Sequence, residues 1–118
     1  MITADDLTAL EEGHLADPAK QRFITGGQSR EQWLRLRRIG RYCDVPEYGL
    51  MTVEEFNNLP VEAKQSYWAS RDKMDSEQVK ASRRRFEIVG NLSVEQERQL
   101  RTMMPRQRSD YIDGMALR

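Results

Sequence analysis

A side chain able to cap a helix stands three residues ahead of an acid or amide at five places in this chain. The pairs are Thr3 with Asp6, Ser29 with Gln32, Thr52 with Glu55, Asp75 with Gln78, and Ser93 with Gln96. This is capping-box spacing: the first side chain accepts from the backbone N–H three residues on, and the second reaches back to the first residue's own N–H. Asp6 is a shorter and weaker version of the returning partner. Each start runs into good helix formers, so five of them in 118 residues predict a mostly helical chain.

Prolines add a second recurring device. Pro18, Pro60 and Pro105 follow the first, third and fifth starts. Lacking an N–H, proline costs least in the first turn of a helix. After them come AKQRFI (19–24), AKQSYW (63–68) and RQRSDYI (106–112), which place Phe23, Tyr67 and Tyr111 at equivalent positions and predict burial for all three. A third element occurs twice: EQWLRLRR (31–38) aligns without a gap on EQVKASRR (77–84). Trp33, Leu36, Gly40 and Cys43 then fall opposite Val79, Ser82, Phe86 and Val89, and their spacing predicts one buried face per helix.

Charge follows the same rhythm. Residues 1–17, 44–62 and 87–97 are net acidic; 18–43, 63–86 and 98–118 are net basic. The chain reads as one all-α domain over 1–118, a compact small helical domain of about 6–8 short helices. It would hold two and two-thirds copies of a degenerate helical repeat, as units 1–49, 50–90 and 91–118. Similarity between the copies is low and gapped, and independent recurrence of helix-start chemistry is the rival explanation. Loops are short: Gly26-Gly27-Gln28 is one, and Gly90-Asn91 sits where a left-handed residue would stop a helix. The longest irregular stretch expected is DVPEYGLM (44–51), where Pro46 keeps Val45 out of helix.

Bulk properties limit the functional classes. Hydrophobic residues make up 38% and charged residues 32%, and no stretch approaches the ~20 apolar residues that span a bilayer. The acidic opening MITADDLTALEEG lacks the basic and apolar regions of a secretory signal. A single cysteine, Cys43, cannot close an internal disulfide, which fits a cytoplasmic protein. Formal net charge is zero, so no monopole draws the molecule to nucleic acid or membrane. The cations are lopsided, 15 Arg against 4 Lys. Arginine suits fixed bidentate contacts, although a GC-rich genome produces the same bias.

Catalytic signals are lacking. The one histidine, His14, is separated from Cys43 by the first basic helix. No metal-ligand spacing and no glycine-rich phosphate loop occurs, and Asp5-Asp6 and Glu54-Glu55 fit helix N-terminal electrostatics. We therefore expect no enzyme, cofactor, metal or small-molecule substrate. Two basic segments remain, around 30–41 and 80–85, with Arg37, Arg38, Arg83, Arg84 and Arg85 as candidate partner contacts. They would either contact phosphates or complement the acidic segments, and blocks that cancel favour the second. A helix-turn-helix over 39–59 fits poorly, because its second helix opens on two acids. Trp68, beside the repeat position Tyr67, is the expected exposed anchor. The sequence reading is a small non-catalytic protein-interaction module, an adaptor, inhibitor or accessory subunit. Its partner would be a larger protein or its own copies, with nucleic-acid binding through the basic helices as the alternative.

Overall fold

A computed structural model describes residues 1–116, which form eight helices and one two-stranded hairpin. In chain order these are α1 (Ala4–Glu12), α2 (Pro18–Thr25), α3 (Arg30–Gly40), β1 (Tyr42–Val45), β2 (Gly49–Thr52), α4 (Val53–Asn57), α5 (Val61–Arg71), α6 (Ser76–Gly90), α7 (Val94–Arg101) and α8 (Pro105–Ala116). Leu117 and Arg118, the end of the expected third unit, lie outside the described residues. Among the described residues no helix is long and apolar enough to cross a membrane.

Local chemistry sets the helix starts. Thr3, Ser29, Thr52, Asp75 and Ser93 are the N-caps of α1, α3, α4, α6 and α7, and all but Ser29 make the reciprocal box. Pro18 occupies the first turn of α2 behind an Asp17 cap, and Pro105 opens α8. Pro60 is itself the N-cap of α5, with no side-chain capping bond. Helix α1 ends at Gly13 in the left-handed region, with the Gly13 and His14 N–H groups donating to Leu10 and Ala9 carbonyls.

The stretch expected to be irregular is a β-hairpin. Tyr42 pairs with Thr52, Cys43 with Met51, Asp44 with Leu50 and Val45 with Gly49. Pro46 lies inside the turn, which the Tyr48 N–H closes on the Val45 carbonyl at 3.0 Å. One face of the hairpin sends Tyr42 and Leu50 into the main core, with Val89, Leu92, Leu100 and Ile112. The other sends Val45 and Met51 into a second core with Phe56. A hairpin buried on both faces carries no apolar–polar alternation, so its strands do not show in the sequence pattern.

Helix α8 covers the open edge of β2. The Leu50 N–H donates to Ser109 Oγ at 2.9 Å, and Arg108 Nη1 donates to the Leu50 carbonyl at 3.1 Å. Side chains thus satisfy backbone groups that a missing third strand would have taken.

Two expectations change with the helix packing. Gly90 does not stop α6 by a left-handed turn: it is the last helical residue, and Asn91 after it has φ −100°. Its role is close approach to α3, since a Cβ there would lie 2.7 Å from Arg35 Cγ and 3.1 Å from Ile39 Cδ1. The buried face of α3 also differs from the expected one. It carries Leu34 and Arg38, whereas Leu36 is exposed, Gly40 ends the helix and Cys43 belongs to β1. Opposite it, Val89 is fully buried but Val79 is exposed.

Equivalence of the three aromatic positions does not hold. Tyr67 and Tyr111 are partly buried against the two cores, but Phe23 is 76% exposed, on a helix with no buried residue. Helix α2 has no hairpin or α8 above it to cover that side, so like sequence meets unlike surroundings. The repeat remains a description of recurring helix starts.

Candidate functional site

The arginines of α3 and its C-cap are engaged inside the molecule, except Arg35, which is exposed and makes no ion pair among the described residues. Arg41 bridges Glu11 at 2.6 Å and Glu97 at 2.9 Å, Arg37 Nε lies 3.6 Å from Glu11, and Arg101 pairs with both acids. Two carboxylates therefore tie α1, α3 and α7 together through three guanidinium groups. Arg30 adds donors to the Leu10 and Glu11 carbonyls at 2.8 and 2.7 Å, completing the C-terminus of α1. Arg38, expected as a surface contact, is buried and donates to the Gly90 carbonyl at 3.4 Å. It faces α6 because α3 turns its Leu34–Arg38 ridge inward.

Burial of Glu97 opposes its ionisation, but hydrogen bonds from Arg101 and Arg41 outweigh that and hold its pKa below the ordinary value. Glu55 behaves likewise: burial raises it, while Arg108 and the Thr52 N–H bring it down further. A carboxylate lowered on folding stabilises the fold above its unfolded pKa, about 4.3 for Glu, and loses that contribution as pH falls through the folded value. Melting temperature should therefore fall on acidification from about pH 5 toward pH 3. Glu97→Gln should start lower at neutral pH and fall less steeply; parallel curves for the two proteins would contradict the assignment.

The second basic segment divides differently. Arg85 is clamped by Asp113 on α8 at 2.7 Å and by Asp44 on β1 at 3.0 Å, and the Asp113 bond above all raises its pKa. Arg83 and Arg84 are exposed and have no ion pair among the described residues.

Trp68 is 54% exposed on α5 and sits at a groove. Phe56, Tyr67 and Trp68 meet edge to face, with ring centroids 4.9 Å apart for Phe56–Tyr67 and 5.1 Å for Tyr67–Trp68. Arg71 lies over the Trp68 ring at 5.6 Å from its centroid. Between these rings, β1 and α6 runs a groove of about 230 Å³, to which Tyr42, Cys43, Met74, Ser82 and Phe86 contribute. A smaller cavity of about 130 Å³ lies where Tyr67 and Met74 meet the hairpin turn. No residue of α5 is buried, so this helix rests on the second core mainly through Tyr67.

Burial pushes the Cys43 thiol up against the opposing pull of Arg71. That leaves it a protonated, weakly nucleophilic lining group near neutral pH. Among the described residues no group of three His, Cys, Asp or Glu side chains could hold a metal ion. The structure thus brings Trp68 to a groove, leaves Arg83 and Arg84 in solvent, and takes Arg37, Arg38 and Arg85 into internal contacts.

Sequence reasoning passed over Cys43, Phe56, Arg71, Met74 and Phe86 as groove residues. The available signal was spacing: Tyr67, Arg71 and Met74 follow at steps of four and three, as do Ser82 and Phe86 at four. No protein-family model, curated protein or solved structure matches the chain.

Proposed function

We propose that this protein is a small non-catalytic protein-interaction module, an adaptor, inhibitor or accessory subunit, that works through the groove beside Trp68. The observation that carries the reading is a half-exposed tryptophan braced by two buried or half-buried rings at the mouth of an apolar groove. Large aromatics held rigid by their neighbours are the residues that dominate protein–protein binding energy, because little side-chain freedom is lost on contact. The groove is smaller than the roughly 300–1,000 Å³ usual for small-molecule sites. It suits the insertion of single side chains from a partner, either a larger protein or another copy of this chain. The free thiol of Cys43 agrees with a reducing, cytoplasmic setting.

Nucleic-acid binding through the basic helices has less support. Arg37, Arg41 and Arg85 are occupied by carboxylates and Arg38 is buried, which leaves Arg35, Arg83 and Arg84 as the exposed arginines of the two segments without an ion pair among the described residues, with exposed Lys80 beside Glu77. The aromatic rings present edges to one another, and Arg71 covers a face of Trp68. Single-strand binding uses a series of open faces on which bases stack.

A photoreactive amino acid placed at Trp68, with a control at exposed Gln99, tests the reading in the cells from which the protein comes. Protein adducts at position 68 that persist after nuclease treatment and are absent at position 99 are expected. Adducts to nucleic acid alone, or equal protein adducts at both positions, would overturn it.

A further inference from the structure

We infer that the groove takes an acidic segment of a partner protein, with an apolar side chain entering between Trp68 and Phe86 while carboxylates meet Arg71 and Arg83. This rests on the protein-interaction reading above and names the chemistry of the partner. The charges around the groove carry the argument. Asp44, the one acidic lining residue, is already held by Arg85 at 3.0 Å. Arg71, the one basic lining residue, makes no ion pair among the described residues and is exposed over the Trp68 ring.

Helix geometry supplies a second cation beside the opposite wall. Ser82 and Phe86 line the groove from α6, and Arg83, the residue after Ser82 and outside the lining itself, stands about 100° round the helix from it. It too is exposed and makes no ion pair among the described residues. The groove thus carries an unneutralised arginine on α5 and has another next to its α6 wall in sequence, while its own acid is masked. A basic segment would meet like charge at both arginines and find no free carboxylate among the lining residues; exposed Glu87, one turn after Arg83, lies outside that lining. An acidic one gains two charge-assisted contacts with a group suited to bidentate pairing. The floor of Tyr42, Met74 and Phe86 then selects for a large apolar residue between those acids.

The experiment uses the Trp33→Phe protein, in which Trp68 is the sole tryptophan and its fluorescence reports the groove. The probes are a synthetic peptide carrying Leu and Phe at helical spacing among Glu and Asp, its twin with Lys replacing every acid, and an oligothymidylate. The acidic peptide should shift Trp68 emission saturably, and its basic twin should bind at least about tenfold more weakly at low salt. In Arg71→Glu/Arg83→Glu the preference should reverse; in Arg71→Gln/Arg83→Gln it should vanish. Both variants alter exposed side chains, and the Gln pair provides the readout should the Glu pair fold poorly.

Equal binding of the two peptides, no binding of either, or an acidic preference untouched by both double variants would overturn the inference. If protein adducts still form at Trp68 under any of those results, the interaction reading stands and the partner's chemistry is different. Binding of oligothymidylate alone, with only nucleic-acid adducts at position 68, would remove both.

Discussion

Arg108→Met should lower the stability of the protein by about 4 kcal/mol, among the largest effects of any single substitution in it. Arg108 is 3% exposed and its guanidinium is saturated by groups from three elements. It donates to the carbonyls of Leu50, Leu100 and Arg101 at 3.1, 3.0 and 3.2 Å and pairs with the Glu55 carboxylate. Methionine keeps much of the stem volume but takes the donor from the Leu50 and Arg101 carbonyls and leaves Glu55 without its counter-charge, each a loss of about 1–3 kcal/mol, while the Leu100 carbonyl keeps the Met103 N–H. Domains of this kind have about 5–15 kcal/mol in total, so the loss should lower the melting temperature by roughly 15 °C. Glu55→Gln should cost about half as much, since it removes the counter-charge but keeps an acceptor for Arg108 and for the Thr52 N–H. Thermal or urea unfolding of the two variants checks this, and an Arg108→Met protein within about 1 kcal/mol of the parent would refute the assignment.

Gly49→Ala should cost about 3–4 kcal/mol, for two reasons that can be measured apart. At φ +109° the backbone of Gly49 lies where side chains are rarely tolerated. A Cβ there would also stand 2.5 Å from the Pro105 carbonyl oxygen and 2.8 Å from the Arg106 nitrogen. Both are backbone atoms at the start of α8, so relief requires moving the helix that seals the β2 edge. Gly27 supplies the control: its φ is +91°, but nothing lies within 4 Å of where its Cβ would be. Gly27→Ala should then show only the conformational part, about 1–2 kcal/mol. Equal costs at the two positions would mean that α8 does not press on the hairpin as described.

The helix boundaries were legible because their causes lie within three or four residues of chain. A Thr hydroxyl three positions before a Glu forms its box wherever the helix ends up, and Thr3, Thr52, Asp75 and Ser93 do so at the extremities and at the centre of the fold alike. The same local character explains the overreach of the repeat. Phe23 and Tyr67 share a place in the aligned segments AKQRFI and AKQSYW, yet one points to solvent and the other against Phe56. Burial is decided by what covers a helix, and nothing in AKQRFI or AKQSYW specifies that.

Of the candidate site, Trp68 was legible as a large aromatic one residue from a core position, whereas its setting was not. Cys43, Phe56, Met74 and Phe86 come from four separate stretches of chain and meet only because the hairpin sets β1 between α5 and α6. The arginines divide for the same reason. Arg37 and Arg83 occur in aligned stretches, but α3 brings Arg37 to Glu11, while α6 turns Arg83 to solvent and Arg85 to Asp44 and Asp113. By itself the sequence determined the all-α character, the five capped starts and the cancelling charge blocks, all products of short-range chemistry or composition. Tertiary structure alone decided the hairpin, the Arg108 hub, the tight contacts at Gly49 and Gly90, and which cations stay free. The hub, the Gly49 and Gly90 contacts and the Arg41–Glu97 and Arg85–Asp44 pairs each join groups 40 or more residues apart along the chain, and a carboxylate neutralises an arginine only where the packing brings the two within reach.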